Sequence, residues 1–122
     1  MGIRLIKIST VYFAIGILLG LYMAISHSYV LTPVHVHINL LGWTALTLSG
    51  ILYTIFPEIA CNLLAKIHFW LHNVGLPLMM IGLAFVVTGN EQLVWLTVIG
   101  SLATVIGVLI FVYNVLRNLK GK

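Results

Sequence analysis

The sequence predicts an all-α integral membrane protein, a bundle of four transmembrane helices, from its composition and from the length of its apolar runs. Of the 122 residues, 61% are hydrophobic and 7% charged, and the mean hydropathy is +1.17. Soluble domains carry about 25% charged residues, and so few charges cannot cover a water-facing surface. A helix needs roughly 20 apolar residues to cross a bilayer. Four runs qualify: residues 8–25, 34–56, 64–87 and 93–115. No backbone group can go unpaired in lipid, so each run is expected to be helical rather than extended.

The first span starts behind Arg4 and Lys7 and ends at Ser26-His27-Ser28. The second begins after Pro33 and stops at Pro57-Glu58. The third contains Pro77, whose ring clashes with the preceding turn and removes a backbone donor, so a kink is expected there. The fourth follows the turn Thr88-Gly89-Asn90-Glu91-Gln92. These connections are short. Successive spans are therefore expected to be antiparallel neighbours, and residues 1–122 a single domain without a linker. No cleavable signal is expected, because the first apolar run is long and no clean small-residue cleavage site follows it.

The charges give a direction. Six Lys+Arg stand against two Asp+Glu, a formal net charge of +4. Arg4 and Lys7 precede the first span, Lys66 lies near the second turn, and Arg117, Lys120 and Lys122 follow the last. The first and third turns hold no Lys or Arg, so all basic residues share one side, expected to be cytoplasmic for both termini. Charges this few, placed at span ends, argue against a nucleic-acid partner. Cys61 is the only cysteine and cannot form an intramolecular disulfide. The expected setting is a multi-pass position in a lipid bilayer, the bacterial inner membrane.

Five histidines in so apolar a chain are the main chemical signal, because ionisable residues inside a membrane are costly and mark sites by default. His27 and His68, near span ends, are compatible with plain headgroup anchoring. His35-Val36-His37 differs. Two residues along a helix turn it by about 200°, so the rings leave opposite sides, cannot easily clasp one metal, and suit two pockets. His68 and His72, four apart, share a face on which a metal is conceivable. Without a partnering acid the expected roles are anchoring for one and an interhelical bond for the other. From helical rise, His37 and His72 are expected to lie roughly 15–20 Å apart in depth, too far for one iron. His27, or a histidine of another copy, is the alternative partner.

His35-Val36-His37-Ile38-Asn39-Leu40-Leu41-Gly42-Trp43, continuing to Gly50-Ile51-Leu52-Tyr53-Thr54-Ile55-Phe56-Pro57, resembles the tenth helix of haem–copper oxidase subunit I. The resemblance is closest to C-type oxidases and nitric oxide reductases. His68-Phe69-Trp70-Leu71, with Gly75 and Leu83, resembles the start of the helix that follows. The match covers the second and third spans, about half the chain. In that family the first His of the pair ligates the high-spin haem and the second the low-spin haem. The resemblance thus implies haem b on His35 and His37.

The family's subunit has twelve helices in three four-helix arcs, and this chain corresponds to one arc. Counterparts of the copper-binding histidines, of the tyrosine crosslinked to one of them and of the other low-spin ligand are not present. An oxygen-reducing centre is therefore not implied, and proton-pumping channels are not visible. The arc does imply a homotrimer, with His37 of one chain and His35 of the next as axial ligands of a haem at each interface. His27 and His72 stand as further metal candidates. The implied role is electron transfer to a redox partner of unknown identity, or binding of a diatomic gas.

Two rivals come from other classes. Small multidrug exporters have this length and work as dimers, but they need a membrane-embedded acid, and the first span has none. A copper-handling protein would use His27, His35 and His37 with Met23, Met79 and Met80 as soft ligands, though methionines in membrane helices usually only pack. Trp43, Phe69 and Trp70 are expected in packing or an interfacial belt. Gly16-x-x-x-Gly20 has the spacing that lets helices approach closely. Asn39 is placed to hold an imidazole or to bond across helices.

Overall fold

A computed structural model describes residues 1–121 of the chain. They are helical almost throughout, with four helices long and apolar enough to cross a membrane: α1 (Gly2–Ser26), α2 (Thr32–Ile55), α3 (Leu63–Val87) and α4 (Glu91–Asn118). Each predicted span lies within or overlaps one of these; the start of α1 and the end of α4 extend by several residues because helical backbone continues into the polar flanks, and the other ends agree closely. The helix ends follow local chemistry. α1 closes on His27, whose backbone is left-handed at φ 54°. α2 starts with Pro33 in its first turn, where the missing N–H costs nothing. The Asn62 side chain accepts from Ala65 N–H at 2.9 Å and caps α3. α3 then runs unbroken through Pro77.

The sequence did not announce the main irregularity. α2 is α-helical over Thr32–His37 and Ala45–Ile55, but Ile38–Thr44 between them is a π-helix. Bonds there reach five residues back rather than four, which inserts one residue into the helix without adding rotation. Its last bond runs from Ala45 N–H to the Leu40 carbonyl.

Two hairpins make up the bundle. Within each, small residues bring backbones together. Gly75 and Gly100 face each other across α3 and α4, where a Cβ on Gly100 would meet the Met79 backbone nitrogen and lie 2.7 Å from the Gly75 carbonyl oxygen. Across α1 and α2, Thr47 donates to Ser9 at 2.7 Å. The Gly16-x-x-x-Gly20 face also has its partner inside the chain: Gly16 lies against Asn39 and Gly20 against His35. Between the hairpins the core is built of larger side chains. One cluster holds Leu5, Leu46, Tyr53, Ile59 and Ala65; the other holds Val34, Ile38, Leu76, Met79 and Met80. Many other large apolar side chains, among them Leu18, Ile25 and Leu116, face outward, as a lipid-facing surface requires. Arg4 and Lys66 line one recess with Met1, Phe69 and Trp70, so the starts of α1 and α3 lie at the same end.

The close approach of α3 and α4 predicts that Gly100→Ala is costly, because the atoms in its way are backbone. A loss of about 1–3 kcal/mol is expected in detergent unfolding. Gly121→Ala, with nothing within 4 Å of the added carbon, is the neutral control. Equal stability of the two variants would refute this packing.

Candidate functional site

The two histidines of the H-x-H pair do leave opposite flanks of α2. His35 points to α1, its Cε1 3.0 Å from where a Cβ on Gly20 would stand. His37 points the other way, into a cleft of about 330 Å³ lined by Leu41 of α2, Met79 of α3 and Ser101, Thr104, Val105 and Leu109 of α4. Val105 and Leu109 are exposed, so the cleft opens on the outside of the bundle.

Their hydrogen bonds differ in a way that decides their chemistry. His37 Nδ1 lies 2.7 Å from the Pro33 carbonyl oxygen. A carbonyl only accepts, so Nδ1 carries the proton and Nε2 presents a bare lone pair, with no hydrogen-bond partner among the described residues. Metal-ligating imidazoles are commonly oriented in this manner. His35 Nδ1 lies 3.3 Å from the Asn39 amide nitrogen, which also donates to the His35 carbonyl at 2.9 Å. That amide can only donate, so His35 Nδ1 accepts and Nε2 holds the proton. Asn39 therefore serves an imidazole, one turn back on its own helix.

A second constellation is fully inside. His68 and His72 are each 1% exposed, so neither anchors at an interface. His72 Nε2 lies 2.9 Å from the Leu41 carbonyl oxygen, His68 Nε2 lies 3.2 Å from His72 Nδ1, and Tyr53 Oη lies 2.7 Å from His68 Nδ1. The carbonyl fixes every proton in turn. His72 donates to Leu41 and so accepts at Nδ1; His68 donates to His72 and so accepts from the Tyr53 hydroxyl. Both imidazoles are neutral, and the chain starts and ends on α2. A carbonyl has no proton to hand on, so the chain closes there. Phe111 covers it, 4.9 Å from the His68 ring and edge-on to Tyr53 at 5.5 Å.

The other candidates are placed as follows. His72, a metal candidate from its spacing, has both ring nitrogens in hydrogen bonds and no free lone pair. It is also nearer His37 than helical rise suggested. Met79, seven residues past His72, lines the His37 cleft, an axial offset of roughly 10 Å. His72 Nε2 meets the Leu41 carbonyl, only four residues along α2 from His37. His27 is exposed at the end of α1. Among the described residues no three His, Cys, Asp or Glu side chains gather into a metal-binding group. Met79 and Met80 are packed in the core, and Trp43 stacks on Phe13 at 4.4 Å.

Sequence reasoning missed Tyr53 and the Leu41 carbonyl. Tyr53 stood in the continuation of the H-x-H…Gly-Trp pattern toward Pro57, and the shared face of His68 and His72 was the available signal that a polar partner was needed opposite. Among known proteins, no family model, no curated protein and no solved structure matches the chain.

Interhelical hydrogen bonds in membranes contribute about 0.6 kcal/mol on average and up to about 1.7 kcal/mol, and a buried one whose loss strands a partner lies at the upper end. Tyr53→Phe and His68→Phe should each destabilise the bundle. Their double-mutant cycle should give a coupling of about 1 kcal/mol, and additive effects would mean that the Tyr53–His68 bond is absent.

Proposed function

We propose that the chain is a haem b-binding membrane protein of the haem–copper-oxidase-like type, with His37 as axial ligand. The observation that carries this reading is the state of His37: Nδ1–H held by the Pro33 carbonyl, Nε2 bare, at the edge of an apolar lateral cleft. The donor set fits a haem iron, for which an oriented neutral imidazole is the usual protein ligand. When bound, haem supplies one-electron chemistry or an iron site for a diatomic gas. The chain's own residues orient His37, keep water from its Nε2 through Leu41, Met79, Val105 and Leu109, and leave the cleft open toward a neighbouring copy or lipid.

The resemblance to one arc of a three-arc subunit is the reason to propose a homotrimer in which His35 of the next copy completes the ligation. His35 is less ready for that role. It lies against Gly20 of its own chain, and Asn39 holds its Nδ1 so that Nε2 bears the proton. Ligation through Nε2 requires that proton to move to Nδ1 and the Asn39 amide to turn. Asn39 thus favours a centre with one protein ligand and an open position for a diatomic gas over a bis-histidine electron carrier. The one-sided basic residues support placing both termini in the cytoplasm, in the bacterial inner membrane.

Oxidised and dithionite-reduced spectra of the purified protein test the reading. A Soret band is expected in the wild type and lost in His37→Ala. His35→Ala should retain it, and carbon monoxide should shift the reduced band in both the wild type and His35→Ala. A colourless protein from iron-replete cells sinks the proposal; loss of haem in both variants would favour bis-histidine ligation. For orientation, a reporter fused after Lys122 is expected to be active in the cytoplasm, and one inserted at Asn90 to be active only outside it; the reverse pattern would overturn the assignment.

A further inference from the structure

We propose that His72 is the positioning residue of the H-x-H pair: by holding the Leu41 carbonyl it maintains the π segment, and the π segment sets the azimuth at which His35 and His37 leave the bundle. The azimuth is independent of any ligand; only the spectroscopic arm of the test rests on the haem reading.

The backbone bonds of α2 single out Leu41. The last five-residue bond runs from Ala45 N–H to the Leu40 carbonyl. The donors within reach of the Leu41 carbonyl are Ala45 N–H, already used, and Leu46 N–H, whose bond would extend the π-helix beyond Thr44. Leu41 is therefore the carbonyl stepped over where four-residue bonding resumes. In hydrocarbon such a carbonyl needs a donor, and His72 Nε2–H at 2.9 Å is that donor. His72 is fixed in turn by His68, and His68 by Tyr53. Tyr53 lies on α2 beyond the π segment, so α3 grips α2 on the segment and below it. Among the described residues, the rings against His68 are Tyr53, Phe111 and His72, and Tyr53 in turn neighbours the buried Asn114.

The consequence for the pair is geometric. The inserted residue turns everything before it by one α-helical step, about 100°, relative to Ala45–Ile55. Were the segment to anneal to α-helix, each upstream residue would take the azimuth of its predecessor. His37 would move from the cleft to the lipid-facing direction of Val36, and His35 to the core direction of Val34. Neither could serve the pocket it now faces.

The test reads that rotation directly. On a Cys61→Ser background, single cysteines at Val34 (6% exposed) and Val36 (41% exposed) are spin-labelled in bilayers and their accessibility to oxygen is compared. In the wild type Val36→Cys should be several-fold more accessible than Val34→Cys. His72→Leu should reduce that ratio several-fold, and His72→Gln, which keeps an N–H donor, should restore it. Tyr53→Phe, which frees the far end of the chain, should give an intermediate ratio, and it decides alone if His72→Leu fails to fold. A wild-type ratio in His72→Leu, or in Tyr53→Phe where that variant decides, overturns the proposal. If haem binds, His72→Leu should also lose most of the Soret band and His72→Gln retain it. A shifted ratio in a protein that never binds haem would sink the haem reading and leave the positioning role standing.

Discussion

A carbonyl that faces hydrocarbon has no water to turn to, and an unpaired one costs several kcal/mol. Most carbonyls of a membrane helix are spared this by the turn that follows. The Leu41 carbonyl is not, because the backbone returns from π to α bonding across it. Its pairing with His72 therefore comes first in the order of causes. The bond fixes which nitrogen of His72 is protonated, hence which nitrogen of His68 donates, hence that Tyr53 must be a donor. One backbone defect determines the protonation of three buried side chains on two helices.

The same chain explains how two hairpins become one bundle. Inside each hairpin, glycines let backbones touch, as Gly75 and Gly100 do, and dispersion contacts at that range hold membrane helices together. Between the hairpins such glycine contacts give way to larger side chains. Apolar side chains fill the space in two clusters, but lipid tails are as apolar as those side chains, so filling alone gives little preference for one register over another. The Tyr53–His68–His72–Leu41 chain does discriminate, since sliding α3 by a single residue would strand each of its polar groups. The apolar clusters supply contact, and the polar chain supplies register.

How far this was legible in the sequence follows from what each level depends on. The four helices were readable because span length and backbone satisfaction are properties of single segments. The opposite flanks of His35 and His37 were readable too, since both precede the π segment and two α-helical steps separate them. The depth offset of His72 was overestimated, because it depends on how α3 sits against α2, and nothing in Ile38-Asn39-Leu40-Leu41-Gly42-Trp43-Thr44 marks an inserted residue. The π geometry depends on a donor from another helix. Such a partner becomes visible only once α2 and α3 are packed. Of the roles expected for His68 and His72, the interhelical bond is present, whereas the anchoring is not: anchoring is the default for a histidine near a span end, and Tyr53 overrides it from fifteen residues away.

The H-x-H pair shows why identical side chains two residues apart need not do the same thing. Each imidazole has one nitrogen turned back toward its own helix, and the group it meets there decides the other nitrogen. For His37 that group is the Pro33 carbonyl one turn earlier, an oxygen with two lone pairs, one of which takes the ring N–H. For His35 it is the Asn39 amide, whose position is set by Gly16 on α1. A carbonyl behind the ring makes the front nitrogen a ligand; an amide N–H behind it makes the front nitrogen a donor. The difference between a histidine with a bare lone pair and one that can offer a hydrogen bond thus comes down to which atom stands behind each ring. Here α1 and the helix start decide that, with no change in the histidines themselves.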